Sequence, residues 1–171
     1  MLDTYLQHQT ERNAQGIPAL PLNAEQVAGL CELFCNPPAG RETLLLTLLA
    51  ERVPPGVDQA ARVKAEFLGR VLCGEITSPL IDAEAAIDLL VTMLGGYNIP
   101  PLVAALDDQH LGDKAAAALS GLILVYDAFD EVLAKAKRHP LAMQVVESWA
   151  AASGFWAGWS CRNSCGSRSS R

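Results

Sequence analysis

Apolar residues recur three and four positions apart along most of this chain, the spacing that gathers them on one face of a helix. Leu2, Tyr5 and Leu6 predict a first helix from Leu2 to about Ala14, ended by Gly16. Residues 17–22, with Pro18 and Pro21, read as an extended connector. Asn23 followed by Gln26 is a capping-box pattern and opens a helix carrying Val27, Leu30 and Phe34. Asn36-Pro37-Pro38-Ala39-Gly40 stops it. Leucines crowd the next helix, Arg41 to Val53, on so many sides that it is expected to be buried between neighbours. Pro54-Pro55 ends that helix, and Asp58 starts a two-faced one running to Cys73. On it Val63, Phe67, Leu68, Val71 and Leu72 oppose Gln59, Arg62, Glu66 and Arg70.

A loop with Ser78-Pro79 follows, and Asp82 caps a helix with Ala83, Ala86, Ile87, Leu90 and Leu94 on its apolar side. Gly95-Gly96 can end a helix in a left-handed turn, and Asn98 can cap a short one reaching about Leu106. Asp113 is expected to cap the most hydrophobic helix, Ala115 to Val125, at the centre of the fold. Tyr126-Asp127 restarts or bends the chain. The helix after it turns Phe129, Val132, Leu133 and Ala136 inward, with acids early and bases late, as the macrodipole favours. Pro140 opens a last helix with Ala142, Val145, Val146 and Trp149 on one face. No segment has the alternation of a strand. Helix pairs 24–35/41–53 and 58–73/82–94, then the helices after 98, begin about 35 to 40 residues apart, near the period of HEAT-type two-helix units. The expectation is an all-α fold, a HEAT-like stack of helical hairpins, preferred over an irregular bundle although the residues themselves barely repeat.

Residues 153–171 break this pattern. After Gly154-Phe155-Trp156-Ala157-Gly158-Trp159 the chain turns to Ser, Arg, Cys, Gly and Asn, and is expected to be disordered or loosely packed. The domain is therefore set at 1–152.

Composition sharpens the picture in three ways. Half of the residues are hydrophobic but only 6% are aromatic, so Leu, Ala and Val must fill the core, as close-packed helices allow. No apolar run approaches the ~18 residues of a membrane span, and the amino terminus lacks a secretory pattern. The net charge is −6, and residues 152–171 hold Arg162, Arg168 and Arg171 with no acid. Removing those three positive charges from −6 leaves −9 on the body. Such a body disfavours nucleic acid, whose phosphates need Lys and Arg. Five cysteines without scaffold spacing suggest reduced thiols and a cytoplasmic setting.

The candidate chemistry reduces to structure at each position. Cys31 and Cys35 share a helix face but lack further metal ligands nearby, and read as small core or groove residues. Cys161 and Cys165 fall in the tail, where adventitious oxidation fits better than metal binding. His8, His110 and His139 accompany no nucleophile and orienting acid, and His139 after Lys137-Arg138 suits a helix carboxyl end. Asp107-Asp108 and Asp127/Asp130 read as caps. Gly95-Gly96 lacks the following Lys-Ser/Thr of a phosphate loop. No catalytic, cofactor or metal residue is assigned. What remains is a surface: stacked helix pairs leave a concave groove, and an acidic body would receive a basic partner face.

Several ordered segments resemble the amino-terminal region of bacterial aconitate hydratase B. They are Asn36 to Gly40, Arg52 to Asp58, Val63-Lys64-Ala65, Phe67-Leu68, Ser78-Pro79-Leu80, Gly95 to Ile99, Ala105 to Asp108 and Ser148-Trp149-Ala150. The resemblance spans most of residues 1–150 and implies a HEAT-like domain near the active-site entrance of a much larger lyase. The parent enzyme would interconvert citrate and isocitrate through cis-aconitate on a [4Fe–4S] cluster, and some members act on 2-methylisocitrate. It implies partners too: the catalytic domains of the parent, a second copy, or a citric-acid-cycle enzyme. Binding of messenger RNA is associated with the parent. The family's cluster and substrate residues have no counterparts in this chain. The tail also departs from the family, where a Trp-Phe and then an Arg-Pro segment would lead onward, as a frameshift, a cloning scar or an erroneous gene end would each produce. The chain alone is thus expected to be catalytically silent. Two rival expectations are a truncated copy of the aconitase itself and an RNA-binding regulatory module.

Overall fold

The computed structural model describes residues 1–122, 125 and 128–160, with side chains to residue 151. The described residues form helices and no strand: α1 Leu2–Ala14, α2 Ala24–Cys35, α3 Glu42–Glu51, α4 Gln59–Leu72, α5 Ala83–Val91, α6 Ile99–Ala105, α7 Gly112–Gly121, α8 Ala128–Ala136 and α9 Pro140–Ser160. Side-chain chemistry sets several starts. Asn23 and Gln26 complete the capping box of α2, each side chain satisfying the other's backbone N–H. Asp58 accepts from the N–H groups of Ala60 and Ala61, and Asp82 accepts from that of Ala85.

The helices pair as hairpins, α2 with α3, α4 with α5, α6 with α7 and α8 with α9. Between hairpins, α2, α4, α6 and α8 are successive neighbours in one layer, while α5, α7 and α9 are neighbours in the other. This two-layer connectivity is the one that a stack of two-helix units requires. A single core runs through it, from Val27, Leu30 and Phe34 through Phe67, Leu68, Ile87 and Leu90 to Leu102, Leu119, Val132 and Val145. Trp149 donates its indole N–H to the Leu119 carbonyl at 2.9 Å, tying α9 to α7. As expected, α7 is central, packed on α5, α6 and α9.

Five expectations need correction. The leucine-rich helix α3 buries only Leu45, Leu48 and Leu49, and Leu46 is exposed, because α3 packs mainly on α2. Helix α5 stops at Val91, and Leu94 turns outward, because its N–H is drawn to the Pro55 carbonyl at 2.8 Å. Helix α7 starts at Gly112, with Leu111 in the capping position and Asp113 in the first turn, and it ends at Gly121. On α8 only Val132 and Ala136 are buried, while Phe129 and Leu133 are exposed. Lastly, α9 continues to Ser160, whereas helical character was expected to fade from Ser153, since a formed helix gains one hydrogen bond for each residue added. The expectations for Tyr126-Asp127 and for residues 161–171, with Cys161 and Cys165, lie outside the described residues.

Candidate association groove

The two proline-rich joints are far apart in sequence and meet in space. Leu94 N–H donates to Pro55 O, and the Tyr97 hydroxyl donates to Val57 O at 3.1 Å. Gly95 is pressed so closely on this segment that a Cβ there would lie 2.0 Å from the Gly56 carbonyl oxygen. Gly95 is therefore fixed by backbone approach, whereas Gly96 supplies the left-handed turn with φ 86°. Asn98 does not cap the helix that follows it. Its buried amide donates to the Leu90 and Met93 carbonyls at 3.0 and 3.1 Å, closing the carboxyl end of α5 instead. Arg52 has a similar tie at the first joint: its Nε donates to the Tyr5 hydroxyl at 2.9 Å, and its Nη2 reaches Ala19 O.

The locked joints hold α4 and α6 side by side, and between them opens a groove of about 850 Å³. Its floor is made of small or rigid residues, among them Ala65, Gly69, Pro101 and Ala104. Its rim is charged. Arg62 pairs with Glu66 at 2.8 Å and Arg70 with Glu75 at 3.3 Å. The hydrogen bond that Arg62 donates to the Glu66 carboxylate raises the Arg62 pKa further. At the α6 end, Asp108 accepts from the N–H groups of His110 and Leu111, and these hold its carboxyl below the usual range. Neither acid caps a helix as expected: Asp108 closes the turn ahead of α7, whose capping position Leu111 holds, and Asp107 binds the Lys135 ammonium at 2.6 Å and lies 3.6 Å from His139 Nε2. His139 sits at the α8–α9 joint, the helix end its sequence context suggested.

A second, smaller groove of about 480 Å³ lies between α2 and α4 and shares Glu66 and Arg70 with the first. Cys31 and Cys35 line it. Both are free thiols, and Cys35 Sγ faces the Cys31 carbonyl. Burial, reinforced by the neighbouring Cys35, pushes the Cys31 thiol up to about 12. Cys73, the third described cysteine, is exposed at the end of α4. Close to Cys31 lies the residue that pattern reading missed. Lys64 is 2% exposed within the apolar face of α4, and burial lowers its pKa to about 8. No hydrogen bond to its ammonium is found among the described residues. Its position, i+3 from Ala61 and i−4 from Leu68, was the available signal, since that places it on the buried stripe.

The family model for the aconitate B N-terminal domain matches residues 4–155. The chain belongs to that family. Over 151 residues it is 54% identical to aconitate hydratase B of Pseudomonas aeruginosa, covering 88% of this chain and 17% of that protein. The Escherichia coli aconitate hydratase B is 54% identical over 156 residues, 91% of this chain and 18% of the relative. That of Helicobacter pylori is 43% identical over 156 residues, with coverages of 90% and 18%. The chain therefore spans less than a fifth of the length of these curated relatives, at the end that the domain's name gives.

Among the described residues, Cys31, Cys35 and Cys73 do not converge as the ligands of an iron–sulfur cluster would. Cluster iron takes several converging thiolates. Cys31 and Cys35 share one helical turn, and the desolvated Cys31 holds its proton well above neutral pH. Among the described residues, no three His, Cys, Asp or Glu side chains stand together as a metal site needs. No described helix is long and apolar enough to cross a membrane. What the arrangement offers chemically is a grooved, charged surface on a rigid helical stack.

Proposed function

We propose that this chain is the association domain of an aconitate hydratase B-type lyase, docking on catalytic polypeptide, shaping access to its active site and mediating assembly. On this reading the chain alone performs no turnover, and the [4Fe–4S] chemistry of citrate–isocitrate interconversion belongs to polypeptide outside the matched region. The observation that supports it most is the family match over residues 4–155 together with coverage of under a fifth of each relative. The site geometry agrees in what it presents, grooves and apolar side chains on a joint-locked stack. Reduced thiols at Cys31, Cys35 and Cys73 suit a cytoplasmic setting. A second copy and a citric-acid-cycle enzyme are further partners such a surface can take.

A chimaera tests the reading. Residues 4–155 of this chain would replace the matching region of the Pseudomonas aeruginosa enzyme, with cis-aconitate formation followed by absorbance. The expected result is an active chimaera and an inactive 171-residue chain. A folded chimaera without activity would remove the docking role. Turnover of citrate or isocitrate by the isolated chain would show that the chemistry resides here after all.

A further inference from the structure

The groove between α4 and α6 has a floor, a rim and a sign, and together these define a class of occupant. We infer that it receives a basic polypeptide segment with an apolar ridge, the ridge seated on the small-residue floor and its Lys or Arg side chains on the acidic rim. The inference rests on the association reading above and names the chemistry of what associates.

The floor comes first. At Gly69 a Cβ would stand 3.1 Å from Pro101 Cγ, so α4 and α6 approach closely and leave a shallow trough, not a slot. Ala104 is exposed in it, beside the half-buried Gly69 and Pro101. A trough of small residues flanked by two helices accepts bulky apolar side chains from outside, the mode by which amphipathic segments are held.

The sign follows from the rim. Glu66, Glu75, Asp107 and Asp108 line the groove against Arg62 and Arg70. Both guanidiniums are already paired with the two glutamates. Lys135 answers Asp107 from outside the groove, and no Lys or Arg pairs with Asp108 among the described residues. Asp108 is held ionised by its backbone donors. The two Arg–Glu pairs are more than half exposed, so exchanging them for a partner's cations costs little. Around all this lies a chain of net charge −6. An acidic segment or a nucleic-acid backbone meets repulsion there, and a basic one is drawn in.

The test uses the full chain and three fluorescent probes, read by anisotropy at two salt concentrations. One is a peptide of about 16 residues with leucines at helical spacing flanked by lysines. The second carries glutamates in place of the lysines, and the third is a single-stranded RNA oligomer. The lysine peptide is expected to bind at least about tenfold more tightly than either of the others, and more weakly at high salt. Ala104→Trp fills the floor from an exposed position, and the double change Glu66→Lys/Glu75→Lys reverses the rim; each should weaken the lysine peptide about tenfold. Glu51→Lys on α3, away from the groove, should leave it within about twofold. Circular dichroism confirms that each variant is folded.

Equal weakening by Glu51→Lys and the rim variants would mean general attraction to an acidic surface, and would overturn the site. So would wild-type affinity in Ala104→Trp, or RNA binding above peptide binding. An inactive chimaera with peptide discrimination intact removes the docking role and leaves the groove. An active chimaera without discrimination does the reverse.

Discussion

The joints of this molecule are packed more tightly than one of its helices. At the meeting of residues 52–58 with residues 94–98, backbone lies against backbone, Tyr97 donates across it to the Val57 carbonyl, and Asn98 closes the end of α5 on its own side. At the carboxyl side, α8 carries an apolar stripe of the same kind as α4 yet leaves Phe129 42% and Leu133 41% exposed. Periodicity is similar in the two helices; the neighbours differ. Helix α4 has α2, α5 and α6 packed around it, whereas α8 lies chiefly on α9. Amphipathic spacing states that a face can be buried, and the stack decides how much of it is.

The sharpest break of that contrast is Gly95→Val. Its Cβ would meet the Gly56 carbonyl at a distance no side chain tolerates, so the joints must part. A loss of about 4 kcal/mol is expected, seen as a fall in the urea midpoint. Gly121→Ala is the control, at a helical glycine with open space around the added carbon. It should stabilise by about 0.5 kcal/mol. If both substitutions were neutral, the two joints would not be docked.

Asn98→Ala comes next. It strips two carbonyls of their donor in a buried setting, at a cost of about 2 kcal/mol. Hydrogen exchange should report faster opening at the carboxyl end of α5 than at α8. Uniform acceleration across the chain would instead assign Asn98 to the global core.

The sequence made the helices legible because their signals are local. Asn23 and Gln26, Asp58, and Asp82 carry caps whose geometry involves residues three positions away at most, and all three work as read. The hairpin pairing was also legible, since short Gly/Pro joints force consecutive helices back on each other. What could not be read depends on contacts between distant segments. The outward turn of Leu94 follows from Pro55, nearly forty residues earlier, and the role of Asn98 follows from where α5 ends. Asp107 looked like a cap beside Asp108, and its partner Lys135 is brought to it only by the stack. For the groove, the sequence supplied the acidic character, but its position between α4 and α6 needed the close approach of Gly69 to Pro101. The family resemblance was legible in the joints themselves.

Lys64 sharpens the comparison from the inside of α4. Its pKa falls from 10.5 to about 8 on folding, so between these values the unfolded chain binds more protons and stability rises with pH. That stability is fully present above the unfolded value and is lost as pH falls through about 8. Cys31 acts in the opposite sense: raised from 9.0 to about 12, it contributes stability below pH 9.0 that is lost as pH rises toward 12. The interval from pH 8 to 9 therefore isolates the lysine. Lys64→Met removes a buried charge while keeping the unbranched stem, and should stabilise by about 1–2 kcal/mol at pH 7. The advantage should shrink as pH climbs from 8 to 9. A gain that stays constant with pH would mean that the ammonium is solvated.

The smallest effect is expected where the helix is open. Leu133→Gln on α8 removes a side chain that is already 41% exposed, and should cost no more than about 0.5 kcal/mol. One position earlier, Val132→Ala deletes methyls from a fully buried site and should cost about 2 kcal/mol. The ratio between neighbours on one helix measures how one-sided its burial is. Phe129 lies between these cases, because its ring is 5.9 Å from that of Trp149 and keeps part of its packing there. Concentration supplies the second axis. If Leu133→Gln were nearly neutral at low protein concentration and costly at high concentration, the open stripe would be covered by a second copy, and the contrast between joint and helix would hold only for the monomer.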